Sequence, residues 1–310
     1  MPPAHVLSPR VQPGVLITGW NLGALGVAAM LVEIGLMVGY LVGASRLRRR
    51  GRRWSPWRTT SFVAGTIVVV VALQSGLAAY DDRVFWAHVL QHILLMNIAP
   101  VLFVLAAPVT LAMQASTRPV QTRIVRLTHH PVVSTVSHPA AVTVNFYGTM
   151  LVYFLTPFYQ WSLEHTLVHE LVHLHLLVIG CLFWWLVVGT DPSRWHLSHP
   201  QKLAMLAAGI PVTAMLGLSL TGARTSIAPA FHTVGDIHVG GALMWVVGEL
   251  TTLAIMSVVV LQWMRFEERQ AVRADRIADA EEARLTLALA EVTGGLGSQQ
   301  SGQAGPDPLT

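Results

Sequence analysis

The stretch LEHTLVHELVHLHLLVIGCLFWWLVVG, residues 163–189, is apolar for most of its length, but its first half carries several histidines. A helix that crosses a bilayer needs about 20 predominantly apolar residues, and this stretch is long enough. Ionisable side chains are costly in the hydrocarbon layer and normally face the interior of a helix bundle. The stretch therefore predicts a membrane helix that presents imidazole side chains to neighbouring helices near one end.

The composition of the whole chain also indicates a membrane protein. Of its 310 residues, 53% are hydrophobic and only 12% are charged, whereas soluble proteins have about 25% charged residues. The expected fold is an all-α integral membrane protein, a bundle of seven transmembrane helices. The seven predicted spans are 14–43, 57–80, 84–107, 138–158, 163–189, 201–222 and 238–264.

The basic residues follow the odd-numbered spans. These are the cluster RLRRRGRRW at 46–54, then Arg118, Arg123 and Arg126, then Arg194 and Lys202, and finally Arg265, Arg269, Arg273 and Arg276. Cytoplasmic loops carry an excess of Lys and Arg, so we expect the N-terminus outside and the C-terminus in the cytoplasm. The net charge of +4 is explained by these basic residues at the ends of the spans. We therefore expect the chain to contact the lipid bilayer and to bind no nucleic acid.

The domain organisation follows from the same pattern. Residues 1–264 are predicted to form the transmembrane domain, and residues 265–292 a charged cytoplasmic helix. Residues 293–310 are rich in Gly, Gln and Ser, a composition typical of disordered segments. We expect a disordered tail there.

Polar residues gather at the predicted outer ends of three spans. His88 and His92 lie in the third span, and His165, His169 and His173 in the fifth. Residues four apart share one face of a helix, so each set forms a stripe. Asp236 and His238 lie at the start of the seventh span. A metal site is therefore expected here, with the ligands His88, His92, His169, His173, Asp236 and His238.

The motif HELVH at 169–173 permits a second interpretation. His-Glu-x-x-His on a helix is the zinc-protease pattern, with Glu170 as the general base. Asp236 would then be the third zinc ligand. The chain lacks a later Pro-containing aspartate motif, however, and it has a second His-x-x-x-His at 88–92 that such an enzyme does not need. We expect no enzymatic activity and regard Glu170 as accessory.

The identity of the metal is left open by imidazole ligands, which suit zinc, copper, iron and nickel. Met96 follows His92 by four residues and Met244 lies below His238, and soft thioethers favour Cu(I). Haem b between His92 and His173 is an alternative, with Gly180, Gly240 and Gly241 lining its cavity. A third possibility is a structural protein whose histidines bind no metal. The accessory candidates are His165, Met96, Glu170 and Met244.

Two carboxylates lie deeper in the predicted spans. Glu33 is in the first span and Glu249 in the seventh, where an ionised group is expensive. They fit either a proton or cation path or a hydrogen-bonded structural role, and the sequence does not choose between the two.

Three segments carry a resemblance to a known family. They are AHVLQHILLMNIAPVLFVLAAPVTL at 87–111, HELVHLHLLVIGCLFWWLVVGTDP at 169–192 and DIHVGGALMWVVG at 236–248. In this order they resemble the hallmarks of the CtaG family of caa3-type cytochrome c oxidase assembly factors. The resemblance covers roughly residues 60–270. One departure is Ile237, where the family usually has Gln, followed here by His238.

The resemblance implies a function and a location. It implies a multi-pass protein of the bacterial plasma membrane that supports assembly of the copper centre in oxidase subunit I. Subunit I and other oxidase assembly or copper-donor proteins would be its partners. The family's histidines correspond to His88, His92, His169 and His173, and its acidic residue to Asp236.

Overall fold

The computed structural model describes residues 19–20, 23–189 and 191–301, with side chains through residue 286, and this part of the chain is helical without strands. A π-helical turn, Leu94–Ile98, separates the helices Phe85–Ile93 and Ala99–Leu105. The helices are α1 (Ala24–Arg49), α2 (Pro56–Gln74), α3 (Phe85–Ile93), α4 (Ala99–Leu105), α5 (Pro108–Ala115), α6 (Arg118–Thr128), α7 (Pro131–Val136), α8 (Pro139–Leu155), α9 (Phe158–Glu164), α10 (Thr166–Val188), α11 (His199–Ala207), α12 (Gly209–Thr221) and α13 (Val234–Ser301).

The expected all-α membrane fold is confirmed at the level of its helices. Among the described residues, six helical stretches are long and apolar enough to cross a membrane. A seventh span results only if α8 and α9, which are bent by 78° at a short break, together form one. The count of seven therefore stays a prediction, as does the orientation of the termini. The six stretches are α1, α2, Phe85–Ala115, α10, His199–Thr221 and Val234–Thr286.

The helix boundaries follow from residues with special backbone properties. Proline is at the first position of α2, α5 and α8, where its missing N–H costs nothing because that N–H has no helical partner. Gly189 ends α10 with a φ of +57°, a left-handed conformation that glycine adopts without steric cost. Gly189 thereby ends one of the helices that carry the predicted histidine ligands.

α3 and α4 pass very close to α10 where the π-helical turn ends. Pro100 has no N–H to donate to the carbonyl of Met96, four residues earlier. The indole Nε1 of Trp184 on α10 donates to that carbonyl instead, at 3.1 Å. At Gly180, a Cβ atom would lie 2.5 Å from the Met96 oxygen and 2.8 Å from Pro100 Cγ. We call this contact of Met96, Pro100, Gly180 and Trp184 the Pro100 crossing.

The described chain divides into two compact units, the first ending at Ser257 and the second beginning at Val258. The second unit is the later part of α13, and most of its described side chains are exposed. The charged helix predicted at 265–292 lies within α13. The backbone of α13 continues to Ser301, and residues 302–310 lie outside the described residues, so the disordered tail stays a prediction.

Candidate metal centre

Four histidines from two helices meet in the interior of the first unit. His88 and His92 come from α3, and His169 and His173 from α10, and each pair shares one helix face. The ring centroids of His88 and His92 are 4.2 Å apart, and those of His169 and His173 are 4.4 Å apart. Across the helices, His88 lies 5.3 Å from His169. The structure thus brings together four of the six predicted ligands, and we call them the histidine cluster.

The imidazoles of the histidine cluster are buried, and most of their nitrogens are unpaired. The exposed fractions are 0% for His88, 3% for His92, 8% for His169 and 2% for His173. Among the described residues, both nitrogens of His88, His92 and His173, and Nδ1 of His169, have no hydrogen-bond partner. A buried polar group without a partner costs about 1–3 kcal/mol. A bound cation that accepts the imidazole lone pairs would remove much of this cost, so the cluster is chemically suited to a metal ion.

An acidic residue that sequence reasoning missed completes the cluster. Asp81 lies in the loop between α2 and α3, and its Oδ2 is 3.2 Å from Nε2 of His169. Asp81, His169 and His173 each offer a ligand atom, and these atoms lie within 4.8 Å of one another. The next residue, Asp82, has a raised pKa because of burial and the neighbouring Asp81 charge. The two consecutive acidic residues Asp81 and Asp82, just before α3, were the sequence feature that could have indicated this ligand.

Glu170 lies beside the histidine cluster and faces one of its rings. Its Oε2 is 3.6 Å from Nδ1 of His173, just beyond hydrogen-bond distance. A carboxylate in this position can orient an imidazole and fix which nitrogen carries the proton. This placement suits a role in positioning the His173 ring, one of the candidate metal ligands.

The structure gives the two other predicted ligands different partners. Oδ2 of Asp236 accepts a hydrogen bond from the backbone N–H of Phe85, the first residue of α3. That N–H has no partner within the helix, so Asp236 caps α3 from another part of the chain. The ring Nε2 of His238 is 2.8 Å from the carbonyl oxygen of Ala223. These contacts support a structural role for Asp236 and His238, and their assignment as ligands stays a prediction.

Behind the histidine cluster lies a hydrogen-bonded group that the sequence did not reveal. The hydroxyl of Tyr159 is 2.7 Å from Nε2 of His232, and Nδ1 of His232 is 3.6 Å from Asp236. Burial lowers the pKa of His232 to about 4, so this imidazole is neutral at neutral pH. The ring of Tyr159 packs edge-on against His88 at 5.1 Å. The group therefore links the capped start of α3 to a ring of the cluster.

The remaining accessory candidates lie around the cluster. His165 is exposed and its Nδ1 is 2.9 Å from the Trp161 carbonyl oxygen, which gives it a local partner. Met96 and Met244 line a cavity of about 70 Å³ together with His92.

The glycines proposed for a haem cavity are instead sites of close helix packing. A Cβ atom at Gly240 would overlap the ring of Phe85, and one at Gly241 would lie 2.6 Å from Leu220 Cβ. Gly180 belongs to the Pro100 crossing. The three glycines therefore allow neighbouring groups to approach the helices closely.

Comparisons with known proteins point to one family. Residues 38–266 match the family model described as cytochrome c oxidase caa3 assembly factor (Caa3_CtaG). No solved structure matches this chain.

The chain is also similar to proteins of three mycobacteria. An uncharacterized protein of Mycobacterium bovis and one of Mycobacterium tuberculosis are each 32% identical over 285 residues, which is 86% of this chain and 43% of theirs. An uncharacterized protein of Mycobacterium leprae is 29% identical over 280 residues, 85% of this chain and 42% of its own. This chain therefore spans less than half the length of these relatives.

Proposed function

This chain belongs to the Caa3_CtaG family of cytochrome c oxidase assembly factors, and from that premise we propose that it binds copper in the histidine cluster and supports copper insertion into subunit I. The observation that carries the proposal is the set of buried, unpaired imidazole nitrogens on α3 and α10. Asp81 is the additional ligand candidate that the geometry contributes.

The proposal includes the topology derived from the arginine pattern. Seven spans, with the α8–α9 pair counted as one, would put the N-terminus outside and the C-terminus in the cytoplasm of a bacterial plasma membrane. The histidine cluster would then lie near the outer face. This is a position from which copper can be exchanged with periplasmic or extracellular donor proteins and with the oxidase.

Copper in the form of Cu(I) fits the surroundings of the cluster better than the alternatives. The cavity beside His92 is about 70 Å³, whereas pockets for larger organic ligands are about 300–1,000 Å³. Haem b between His92 and His173 would need far more space. Methionine side chains beside His92 favour a soft monovalent ion.

A zinc protease is the second candidate because Asp81, His169 and His173 form a set of two imidazoles and one carboxylate. Hydrolysis also requires Glu170 to face a metal-bound water. In the structure, Oε2 of Glu170 instead lies 3.6 Å from Nδ1 of His173. We therefore favour metal binding without hydrolysis, with Glu170 orienting His173.

The direct test is metal binding by the purified full chain. The protein in detergent would be loaded with Cu(I) under anaerobic conditions, and bound copper would be measured by mass spectrometry together with a visible spectrum. We expect near-stoichiometric copper in the wild type, and its loss in the His88→Ala/His173→Ala variant. His175→Ala is the matched control, because His175 is an exposed residue of the same helix whose Nε2 contacts the Thr149 hydroxyl.

Other outcomes would contradict the proposal in distinct ways. A Soret band that disappears in the double variant would indicate haem b. Tightly bound zinc, together with peptide hydrolysis that Glu170→Gln abolishes, would indicate a protease. Equal copper in the wild type and the double variant would remove the histidine cluster from the proposal.

The role in assembly is tested in cells that lack this gene. A copy that carries His88→Ala/His173→Ala should leave subunit I with its haem groups but without its copper, while the His175→Ala copy restores copper. Full copper content in the presence of the double variant would contradict the proposal.

A further inference from the structure

A small cavity adjoins the histidine cluster on one side and is lined by three methionines. Met96 comes from the π-helical turn, Met150 from α8 and Met244 from α13, and His92 lines the same cavity. Three of the chain's eleven methionines, each from a different part of the fold, thus line one cavity of about 70 Å³. We call it the methionine cavity.

An unpaired imidazole in the wall of the methionine cavity distinguishes this cavity from an ordinary packing gap. Methionine often fills irregular gaps in apolar cores, and that alone would explain three thioethers. His92, however, is 3% exposed, and neither of its ring nitrogens has a partner among the described residues. A buried imidazole without a partner is costly unless something binds it. The combination of one free imidazole and three thioethers is a donor set for a soft cation.

We propose that the methionine cavity is a second Cu(I) site, which receives the ion from the histidine cluster through the shared residue His92. This inference rests on the proposed function, since it assumes that the cluster binds copper. Transfer needs only an exchange of neutral ligands, from imidazoles to thioethers, and the ion remains Cu(I) throughout. No oxidant, reductant or proton donor is required.

A carboxyl group is hydrogen-bonded to one of the residues that line the cavity. Thr213 on α12 lines the cavity, and its hydroxyl donates a hydrogen bond to Glu249 of α13. When ionised, a carboxylate stabilises a nearby cation more effectively in a low-dielectric interior than in water. Through this contact, Glu249 would stabilise a cation in the proposed site. Glu33 of α1, in contrast, accepts a hydrogen bond from Gln74 of α2 at 3.0 Å. Neither of these two residues lines the methionine cavity.

The size of the cavity restricts what can enter. A water molecule needs roughly 10–15 Å³ of such volume, so about 70 Å³ accommodates an ion and a few waters. Organic cofactors are too large. The volume of the cavity therefore restricts the site to a small ligand, and its sulfur donors favour a soft ion.

X-ray absorption at the copper edge tests the inference, because it distinguishes sulfur from nitrogen ligands. The full chain would be loaded with Cu(I) alone in detergent without oxygen. We expect both sulfur and imidazole scattering in the wild type, and loss of the sulfur contribution in Met96→Leu/Met150→Leu/Met244→Leu. Met-to-Leu exchanges conserve volume and are usually well tolerated in cores. Should the triple variant fail to fold, Met150→Leu alone must lower the sulfur contribution.

Met215→Leu is the matched control, because Met215 is 47% exposed on α12 and is not among the residues that line the cavity. Its copper spectrum should equal that of the wild type. Because the methionine cavity receives its copper from the histidine cluster, a His169→Ala/His173→Ala variant should lose the sulfur contribution together with the imidazole contribution.

The outcomes separate this inference from the proposed function. Copper with nitrogen ligands only, in the wild type and the triple variant alike, would overturn the methionine site and leave the histidine cluster in place. Sulfur scattering that persists in the triple variant would also overturn it. Copper on sulfur that is unaffected by all cluster substitutions would support the cavity and contradict the cluster. No copper in the wild type would overturn both.

Discussion

The same two regions of the chain, the α3–α4 segment and α10, meet at the histidine cluster and again at the Pro100 crossing, and the two contacts satisfy polar groups very differently. At the crossing, the carbonyl of Met96, deprived of one donor by Pro100, accepts a hydrogen bond from Trp184. At the cluster, seven buried imidazole nitrogens lack a partner among the described residues. The difference separates a contact whose polar groups are paired within the protein from one whose imidazoles are free for the proposed metal ion.

The end of α10 beyond the crossing shows the same complete pairing. Asp191 accepts hydrogen bonds from the backbone N–H groups of Val109 and Thr110, and from the Thr110 hydroxyl. It thereby caps the start of α5. Proteins often accept unsatisfied or strained groups at functional sites and compensate for them elsewhere. The crossing and the Asp191 cap supply such compensation here.

The largest expected effect on stability is a steric one at the Pro100 crossing. Gly180→Ala places a methyl group against the Met96 carbonyl oxygen and the Pro100 ring, neither of which is the end of a flexible side chain. We expect the free energy of unfolding to fall by about 1–3 kcal/mol. Denaturant unfolding of the purified protein in detergent, followed by circular dichroism, measures it.

Gly148→Ala is the control for this substitution. Gly148 lies within α8, and apart from its chain neighbours and the nearby backbone of the same helix, no atom would come within 4 Å of its added Cβ. Removing a helix-interior glycine should therefore leave stability unchanged or raise it by up to about 1 kcal/mol. Equal destabilisation by both substitutions would show that the crossing is not a close contact.

A somewhat smaller loss is expected from the Asp191 cap. Asp191→Ala leaves the first N–H groups of α5 without their acceptor, and the loss of a helix cap costs about 0.5–2 kcal/mol. Asp191→Asn keeps one carbonyl oxygen and should lose less. Unfolding midpoints of the two variants, measured side by side, check the order, and a cap role is refuted if Asn is as destabilising as Ala.

Much of the fold and part of the site could be predicted from the sequence. Hydropathy identified the six helical stretches that are long and apolar enough to cross a membrane, because length and apolarity are local properties. The four clustered histidines were found because the i, i+4 spacing puts each pair on one face and buried polar groups face the bundle. Those two arguments need no knowledge of how the loops fold.

The remaining site residues depend on contacts that no local pattern encodes. Asp81 reaches His169 only because the loop between α2 and α3 folds back over the cluster. Asp236 was predicted as a ligand from its position at the start of α13. In the structure it caps α3, since the two helix starts are neighbours in space. Which helix ends meet is a tertiary property.

Lowering the pH should destabilise the folded protein through His232, which lies behind the histidine cluster. The pKa of His232 is lowered from 6.5 to about 4 by burial. Between these values the unfolded chain binds a proton that the folded protein does not, so stability falls as the pH falls. Between pH 6.5 and 5.5 we expect this residue to contribute a loss of about 1 kcal/mol.

The contribution of His232 is isolated by comparing the wild type with a variant in which this position does not titrate. Tyr159, Asp236 and Asp81 are the other groups that face or influence it. His232→Gln retains an amide that can pair with the Tyr159 hydroxyl and does not titrate. Unfolding free energies at pH 6.5 and 5.5 should differ less in this variant than in the wild type. An identical pH slope would contradict the assignment.

The smallest expected change in stability, and the sharpest distinction between the two regions, comes from His88→Leu in the metal-free protein. His88 is fully buried and neither of its nitrogens has a partner among the described residues, so leucine removes two unsatisfied groups while roughly filling the same volume. Replacing unpaired polar groups by apolar ones is nearly neutral or stabilising, so we expect a change of less than about 1 kcal/mol, of either sign.

With Cu(I) present, the wild type should become more stable than His88→Leu, because a ligand that binds only the folded state stabilises the wild type and not a variant that has lost its binding site. Unfolding midpoints with and without Cu(I) check both parts. If His88→Leu destabilised the metal-free protein as strongly as Gly180→Ala, the cluster would be a structural contact of the same kind as the crossing.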